Sequence, residues 1–173
     1  HVEALGYKRV WYAEHHGAAG IASAAPAVLA ARIAAATSTI RVGSGGVMLP
    51  NHAALTIAEQ FGTLEALFPG RIDLGIGRAP GSDQLTARAL QHGPGALGID
   101  QFPQQLADLG GYLTGTLPAN HPFAQVKAMP TGPGQPEIWL LGSSDQSAAY
   151  AAHFGFQFSF AHFIAGVSGA EIV

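Results

Sequence analysis

The stretch of sequence that decides the fold runs over residues 40–81 and reads IRVGSGGVMLPNHAALTIAEQFGTLEALFPGRIDLGIGRAPG. It has three parts: an apolar run over residues 40–49, a helical pattern over residues 55–67 and a second apolar run over residues 71–77. The Phe68-Pro69-Gly70 tripeptide ends the helical pattern, because proline and glycine both interrupt helices. The stretch therefore predicts a strand, a helix and a second strand parallel to the first.

The same alternation extends in both directions from this unit. Apolar runs that predict strands occupy residues 9–14, 137–142 and 156–161, and helical patterns occupy residues 25–37, 101–113 and 145–153. Pro26 suits the first turn of a helix, and Gly155 suits the position that follows one. Alternating strands and helices are typical of an α/β fold on a parallel sheet. The length of 173 residues predicts one domain over residues 1–173.

Three features lie outside this regular pattern. Residues 91–98 and 117–135 are rich in glycine and proline. The second of these segments is long for a connection between a helix and a strand, so we expect it to form an excursion outside the barrel. The chain opens at His1 rather than at a methionine, and its first residues read as the end of a helix. We therefore expect the start of the protein to lie upstream.

Composition narrows the class of function. Charged residues make up 11% of the chain, the net charge is −3, and no basic run favours nucleic acid or an acidic membrane surface. The chain has no cysteine, which excludes disulfides, thiolate metal sites and a cysteine nucleophile. Its longest apolar stretch, residues 21–36, is interrupted by Ser23, Pro26 and Arg32 and is too short for a membrane helix. These features predict a soluble, cytoplasmic protein with a small-molecule ligand.

Polar residues follow the predicted strands at the point where each strand ends. They are Glu14, His15 and His16 after the first strand, Arg78 after the third, Ser143, Ser144 and Asp145 after the fourth, and His162 after the fifth. Ligands of parallel α/β folds bind at these carboxyl ends, so the residues are candidates for a site. A histidine pair in this position is also compatible with loop packing.

A metal site is a further possibility at this end of the sheet. Glutamate and histidine suit zinc or iron, and Glu14, His15, His16 and His52 carry those groups. Adjacent histidines in an extended segment point to opposite sides, however, which makes it difficult for them to share one metal ion. We therefore assign no metal ligand.

A phosphate site is the stronger prediction. Gly142, Ser143 and Ser144 lead into a predicted helix, whose first turn offers free N–H donors and the positive end of the helix dipole. Arg78 could add a guanidinium that holds a phosphate. The alternatives are that Ser144 or Asp145 is a plain helix cap, and that Arg78 pairs with Asp73 or Asp83.

The glycines of GSGG and GIGRAPG do not have the G-x-G-x-x-G spacing of a dinucleotide-binding turn. Their number suggests close approach of the backbone to a flat ligand or an unusual peptide bond.

Four runs together resemble the bacterial luciferase-like flavin monooxygenases, and most closely the group one luciferase-family oxidoreductases. They are WYAEHH, IRVGSGGVMLPNH, AEQFGTLEALFPGRIDLGIGRAPG and WLLGSSDQSAAYAAHFG. The resemblance implies a (β/α)8 TIM barrel, of which this chain would cover about strands two to six. Because five strands leave two edges and a core face uncovered, we expect this segment to fold poorly by itself.

The resemblance also implies the chemistry. The family uses reduced FMN, delivered by a separate flavin reductase, to oxygenate a small organic substrate, and some relatives use a deazaflavin in the same pocket. We expect the complete protein to be a homo-oligomer. Two alternatives remain open: a flavin-binding remnant without catalysis, and a metal-dependent hydrolase that uses the histidines.

Residue by residue, the resemblance places two groups of site residues. The cofactor-binding group holds the flavin phosphate and the ring, and comprises Arg78, Ser144 and Ser147, the backbone of Gly142 and Ser143, and Gly45 and Gly46 at the family's non-prolyl cis peptide. The catalytic group comprises His15, as a base or stabiliser beside the flavin, with Glu14 and His16 to orient it. Luciferases proper carry an acidic residue where this chain has Ser143, so light emission is not implied.

Overall fold

Five parallel strands form one sheet in the order β1-β2-β3-β4-β5 in the computed structural model, which describes residues 1–79, 82–90 and 99–165. The strands are β1 (Arg9–Tyr12), β2 (Arg41–Met48), β3 (Ile72–Gly77), β4 (Glu137–Gly142) and β5 (Gln157–Phe160). The helices are α1 (Pro26–Ala35), α2 (Ala54–Leu67), α3 (Gln84–Leu90), α4 (Phe102–Thr114), α5 (Asp145–Phe154) and α6 (His162–Ala165). Short 3₁₀ turns occupy Leu49–Asn51 and Ile99–Gln101.

The predicted α/β architecture is confirmed. Each of the five predicted strands is present and each pairs in parallel with its neighbour, although β1 ends at Tyr12, two residues before the predicted end. The predicted helices correspond to α1, α2, α4 and α5. Residues 115–136 contain no helix or strand and lie over α2 and α4, as an excursion should. The glycine-rich segment 91–98 lies outside the described residues.

Helix α3 was not predicted, and its contacts explain why. None of its residues is buried, so it has no apolar face to produce a helical period. It begins instead at a local cap: one carboxylate oxygen of Asp83 accepts from the backbone N–H groups of Leu85 at 2.9 Å and Thr86 at 3.0 Å. A cap of this kind starts a helix without any core contact.

The core lies between one face of the sheet and the helices α1, α2 and α4. Helix α2 buries Ala54, Ile57, Ala58, Phe61 and Leu64, a spacing that places them on one face of the helix. They pack against alternate strand residues such as Val42, Leu74 and Leu140. Phe61 is fully buried, so its replacement by alanine would cost about 3 to 5 kcal/mol of stability. This packing fixes where each strand ends, and therefore where the site lies.

The opposite, concave face of the sheet carries charged and aromatic side chains. Asp73 is fully buried and accepts hydrogen bonds from Arg41 Nε at 2.7 Å and from the Trp11 indole at 2.8 Å. The Arg9 guanidinium lies 4.5 Å from the centre of the Trp139 ring, and Trp139 in turn contacts Trp11 edge to face. Arg41 thus balances the charge on Asp73, and we assign Asp73 a structural role.

The glycines of β2 and β3 have a packing role. A Cβ at Gly43 or Gly75 would overlap the backbone carbonyl of the adjacent strand, and one at Gly45 would press on Trp11. The absence of side chains therefore lets the two strands approach each other closely and leaves room beside Gly45 for Trp11 of β1. These glycines thus serve approach between neighbouring strands, and the predicted approach of the backbone to a flat ligand stays a prediction.

Candidate active site

The carboxyl end of the sheet gathers the candidate residues into two groups. The first follows β1 and is centred on Glu14, whose side chain is 1% exposed. Its carboxylate accepts hydrogen bonds from His16 Nε2 at 2.8 Å and from His52 Nε2 at 2.9 Å. The backbone N–H of Met48, at the end of β2, donates to the second oxygen at 2.9 Å. One buried carboxylate thus joins the ends of two strands and the turn that follows β2.

The charge state of Glu14 follows from these contacts. Burial acts to raise the pKa of Glu14, but the hydrogen bonds from His52 and His16 outweigh it, and the pKa lies below its usual value. Glu14 is therefore ionised at neutral pH, and an ionised carboxylate only accepts hydrogen bonds. His52 is the member of this group that the sequence indicated only as a possible metal ligand.

His15 lies between Glu14 and His16 in the segment after β1, and its side chain is half-buried. Its backbone N–H donates to the carbonyl of Ser23 at 2.8 Å, and the Ser23 hydroxyl donates to the carbonyl of Ala13. These two bonds hold the turn against the segment that precedes α1. Glu14, His15 and His16 therefore stand together in the segment that follows β1; their catalytic roles stay predictions.

The second group lies where β3 and β4 end. Ser144 is the N-cap of α5, and its hydroxyl oxygen lies 3.4 Å from the backbone nitrogen of Ser147 and 3.3 Å from the Ser147 hydroxyl. Arg78 reaches the first turn of the same helix, where its Nη1 donates to Gln146 Oε1 at 2.6 Å. Arg78 therefore contacts the first turn of the helix that Ser144 caps; the convergence of Arg78, Ser144 and Ser147 on one anion stays a prediction.

The structure tests the two alternatives to a phosphate site, a plain helix cap at Ser144 or Asp145 and an ion pair of Arg78. Ser144 does cap α5: it accepts from the Ser147 N–H, and the Gln146 N–H donates to the Asp145 carboxylate at 2.8 Å. A phosphate at this end of the helix would take the place of these side-chain acceptors. The ion pair suggested for Arg78 is wrong within the described residues, since Asp73 is held by Arg41 and Trp11. Asp83 accepts from Thr86 and the start of α3.

Three glycines and Ser143 complete the predicted cofactor-binding group. Gly142 packs directly under Ser147, and any Cβ at Gly142 would overlap the Ser147 side chain. Ser143 is half-buried between Gly142 and the cap. In β2, the peptide bond between Gly45 and Gly46 is cis, as the resemblance implied, and it lies where the register between β2 and β3 shifts. The binding role of these residues stays a prediction.

The histidine group does not form a metal site in the part of the chain that the structure describes. No set of three or more histidine, aspartate or glutamate side chains there has the geometry to hold a metal ion. His16 and His52 instead direct Nε2 at the Glu14 carboxylate. The metal-dependent hydrolase has no supporting ligand geometry among these residues.

A cavity of about 750 Å³ lies between α1 and α2. Its lining combines apolar side chains, such as Val28, Ile57 and Leu64, with polar ones: Glu14, His52, Thr56, Glu59, Gln60 and Thr63. Because Glu14 is almost fully buried, the cavity reaches the histidine group mainly through His52.

Comparison with known proteins identifies the family of this chain. The family model described as luciferase-like monooxygenase matches residues 1–163. This chain belongs to the luciferase-like monooxygenases. It is 53% identical over 163 residues to a luciferase-like monooxygenase of Escherichia coli strain K12, covering 93% of this chain and 47% of that protein. It is 45% identical over 164 residues to the N-acetyl-S-alkylcysteine monooxygenase of Bacillus subtilis, covering 95% of this chain and 49% of that protein.

Solved structures show how the luciferase-like chain is related in fold. It superposes on apo-MsnO8 with a TM-score of 0.84 and 43% identity, covering 96% of this chain and 48% of that one. The oxygenating constituent of 3,6-diketocamphane monooxygenase from Pseudomonas putida, solved with FMN, has a TM-score of 0.71 at 19% identity. The match covers 92% of this chain and 49% of that one. An F420-dependent secondary alcohol dehydrogenase has a TM-score of 0.73 at 15% identity, covering 91% and 50%.

These likenesses confirm the predicted fold class: the five strands are part of a TIM-barrel fold. The luciferase-like chain spans about half the length of the curated relatives it matches. In the described residues, no helix has the length and apolar character needed to cross a membrane.

Proposed function

We propose that the protein to which this chain belongs is an FMN-dependent, two-component monooxygenase. It takes reduced FMN from a separate flavin reductase, places one atom of O2 in a small organic substrate and releases the other as water. The observation that carries this proposal is the meeting of Arg78 with the first turn of α5, where Arg78 donates to Gln146 at 2.6 Å.

The residues at this position suit the phosphate of FMN. A phosphate monoester carries about −1.5 to −2 charges at neutral pH, and Arg78 supplies a compensating cation. Ser144 and Ser147 supply hydroxyl groups, and the amino end of α5 supplies N–H donors and the positive end of its dipole. A phosphate accepts hydrogen bonds more strongly than the neutral Gln146 amide does. A bound phosphate would therefore replace Gln146 as the acceptor of the Arg78 hydrogen bond.

The remaining residues support the chemistry around the isoalloxazine ring. The cis peptide of Gly45 and Gly46 lies in β2, between the Glu14 group and the phosphate group, where the ring would rest. Bound reduced FMN supplies the electrons that activate O2. His15 would act as a base or hydrogen-bond donor beside the reacting atoms, and Glu14 and His16 would hold its turn in place. The walls of the site must also exclude water.

A deazaflavin is the second candidate cofactor, because an F420-dependent enzyme shares this fold. The phosphate site would serve either molecule. We propose FMN because the relatives that share about half of the sequence are named as monooxygenases. We further propose that the complete protein works as a homo-oligomer.

The experiment compares both cofactors and then follows oxygen. The full-length protein is titrated with FMN and with F420, and the FMN complex is reduced and mixed with air in the presence of a thioether such as an N-acetyl-S-alkylcysteine and other small organic compounds. We expect preferential FMN binding and less hydrogen peroxide per flavin oxidised when a substrate is present. Preferential F420 binding would overturn the choice of cofactor. If FMN binds and all of the O2 consumed is recovered as hydrogen peroxide, the result would favour the non-catalytic flavin-binding alternative.

A further inference from the structure

The Glu14 carboxylate is surrounded by donors from three segments of the chain. Oε1 lies 2.8 Å from His16 Nε2 and 2.9 Å from His52 Nε2. Oε2 lies 2.9 Å from the Met48 backbone nitrogen and 3.0 Å from His52 Nε2. Each contact is short enough to be a hydrogen bond. The two imidazoles thus share one acceptor, although 36 residues separate them in the sequence (52 − 16 = 36).

Since the carboxylate is ionised, each ring nitrogen that faces it must carry a hydrogen. The other nitrogen of a neutral imidazole is then an acceptor. We propose that Glu14, His16 and His52 form one positioning unit, in which Glu14 fixes both imidazoles as the tautomer that carries hydrogen on Nε2. His52 is thereby a site residue, and Nδ1 is the proton-accepting nitrogen of His16.

The backbone of His52 is bonded to Leu49 and to a side chain of helix α4. Its backbone N–H donates to the carbonyl of Leu49 at 2.9 Å, and its carbonyl accepts from Gln105 Nε2 at 3.2 Å. Gln105 lies in α4 and is fully buried. The chain of contacts therefore runs from the buried face of α4 through His52 and Glu14 to His16. A side chain of α4 in this way fixes the turn that follows β1.

The consequence for catalysis rests on the proposed function. If the site oxygenates a substrate beside His15, a neighbouring imidazole with an unprotonated Nδ1 is a base whose accepting atom is set before any ligand binds. Preorganisation of this kind removes the need to reorient a ring during the reaction. The tautomers themselves follow from the structure and do not depend on which cofactor the protein uses.

Glu14→Gln is the decisive variant because it keeps the shape of the side chain. A glutamine amide has two hydrogens and one acceptor oxygen. The amide oxygen replaces Oε2, where it accepts from Met48 and can also accept from His52 Nε2, while the amide nitrogen replaces Oε1 and donates to His16. Nε2 of His16 must then be unprotonated, so His16 should change to the Nδ1–H tautomer while His52 can keep its hydrogen on Nε2. Glu59→Gln is the matched control, since Glu59 lines the same cavity and its carboxylate accepts from the backbone N–H of Met129 instead of from a histidine.

The measurement is long-range ¹H–¹⁵N NMR of the full-length protein with ¹⁵N-labelled histidine, at a pH well above the ordinary histidine pKa of about 6.5. His16→Gln and His52→Gln assign the two signals among the eight histidines. In the wild type, we expect an excess of the Nε2–H form of about tenfold or more at both rings, the ratio that one hydrogen bond to a charged group sets.

Three outcomes separate the possibilities. A predominant Nδ1–H form at either ring of the wild type would overturn the inference, and this test does not require Glu14→Gln to fold. An unchanged His16 tautomer in Glu14→Gln, or the same His16 change in Glu59→Gln, would also overturn it. FMN titration of the same samples tests the proposed function separately, because a protein with the expected tautomers and no affinity for FMN would refute only the cofactor.

Discussion

Replacement of Arg78 by alanine tests the phosphate site directly. The Arg78 side chain is half-buried at the carboxyl end of β3 and its Nη1 lies 2.6 Å from Gln146 in the first turn of α5. FMN and riboflavin share the same ring, but only FMN has a phosphate. Arg78→Ala should therefore weaken binding of FMN and leave binding of riboflavin unchanged.

The size of the effect follows from the type of contact. A hydrogen bond between charged partners contributes about 1.5 to 3 kcal/mol, and each 1.4 kcal/mol is a factor of ten in affinity. The loss of one such contact corresponds to FMN binding that is about 10 to 150 times weaker. Because Arg78 is only half-buried, water screens part of its charge, and we expect a value in the lower part of this range.

The assay is a titration of the full-length protein with each flavin, followed by quenching of flavin fluorescence. Arg32→Ala is the matched control, since it removes the same side chain from an exposed position near the carboxyl end of α1. It should change neither affinity. Equal losses for FMN and riboflavin in Arg78→Ala would refute the reasoning, because they would mean that Arg78 supports the ring or the fold.

Three further predictions concern catalysis, acid stability and folding. His15→Ala should bind FMN as the wild type does but release more hydrogen peroxide per flavin oxidised; an unchanged product yield would remove His15 from the mechanism. Backbone hydrogen bonds from Ile40 and Thr39 lower the pKa of Glu3 from 4.5 to about 2, so Glu3 contributes its full stability above about pH 4.5 and loses it as the pH falls through 2. Thermal unfolding should show the difference between wild type and Glu3→Gln shrinking over this window, and a constant difference would contradict it. The 173-residue chain alone should unfold without a sharp transition, because β1 and β5 each pair on one side only among the described strands; a cooperative monomer would refute this.

Much of the fold could be predicted because its signals are local. Pro26 begins α1, Gly155 adopts a φ of 70° after α5, and Ser144 caps α5, each as its residue type suggests. The period of the apolar residues located the strands and the main helices to within a few positions. The run of polar residues at the strand ends also indicated which edge of the sheet carries the site. Helix α3 was missed because it buries nothing, and its only signal was the short Asp83 cap.

By itself, the sequence determined the order of strands and helices, the helix ends and the residue types available at the carboxyl end of the sheet. These depend on contacts within a turn or two of the chain. Only the tertiary structure decided which of these residues meet. Glu14 bonds to His52 across 38 positions, and Arg78 reaches Gln146 across 68. Such pairs depend on strand register and on how the helices pack against the sheet, and neither leaves a local pattern in the sequence.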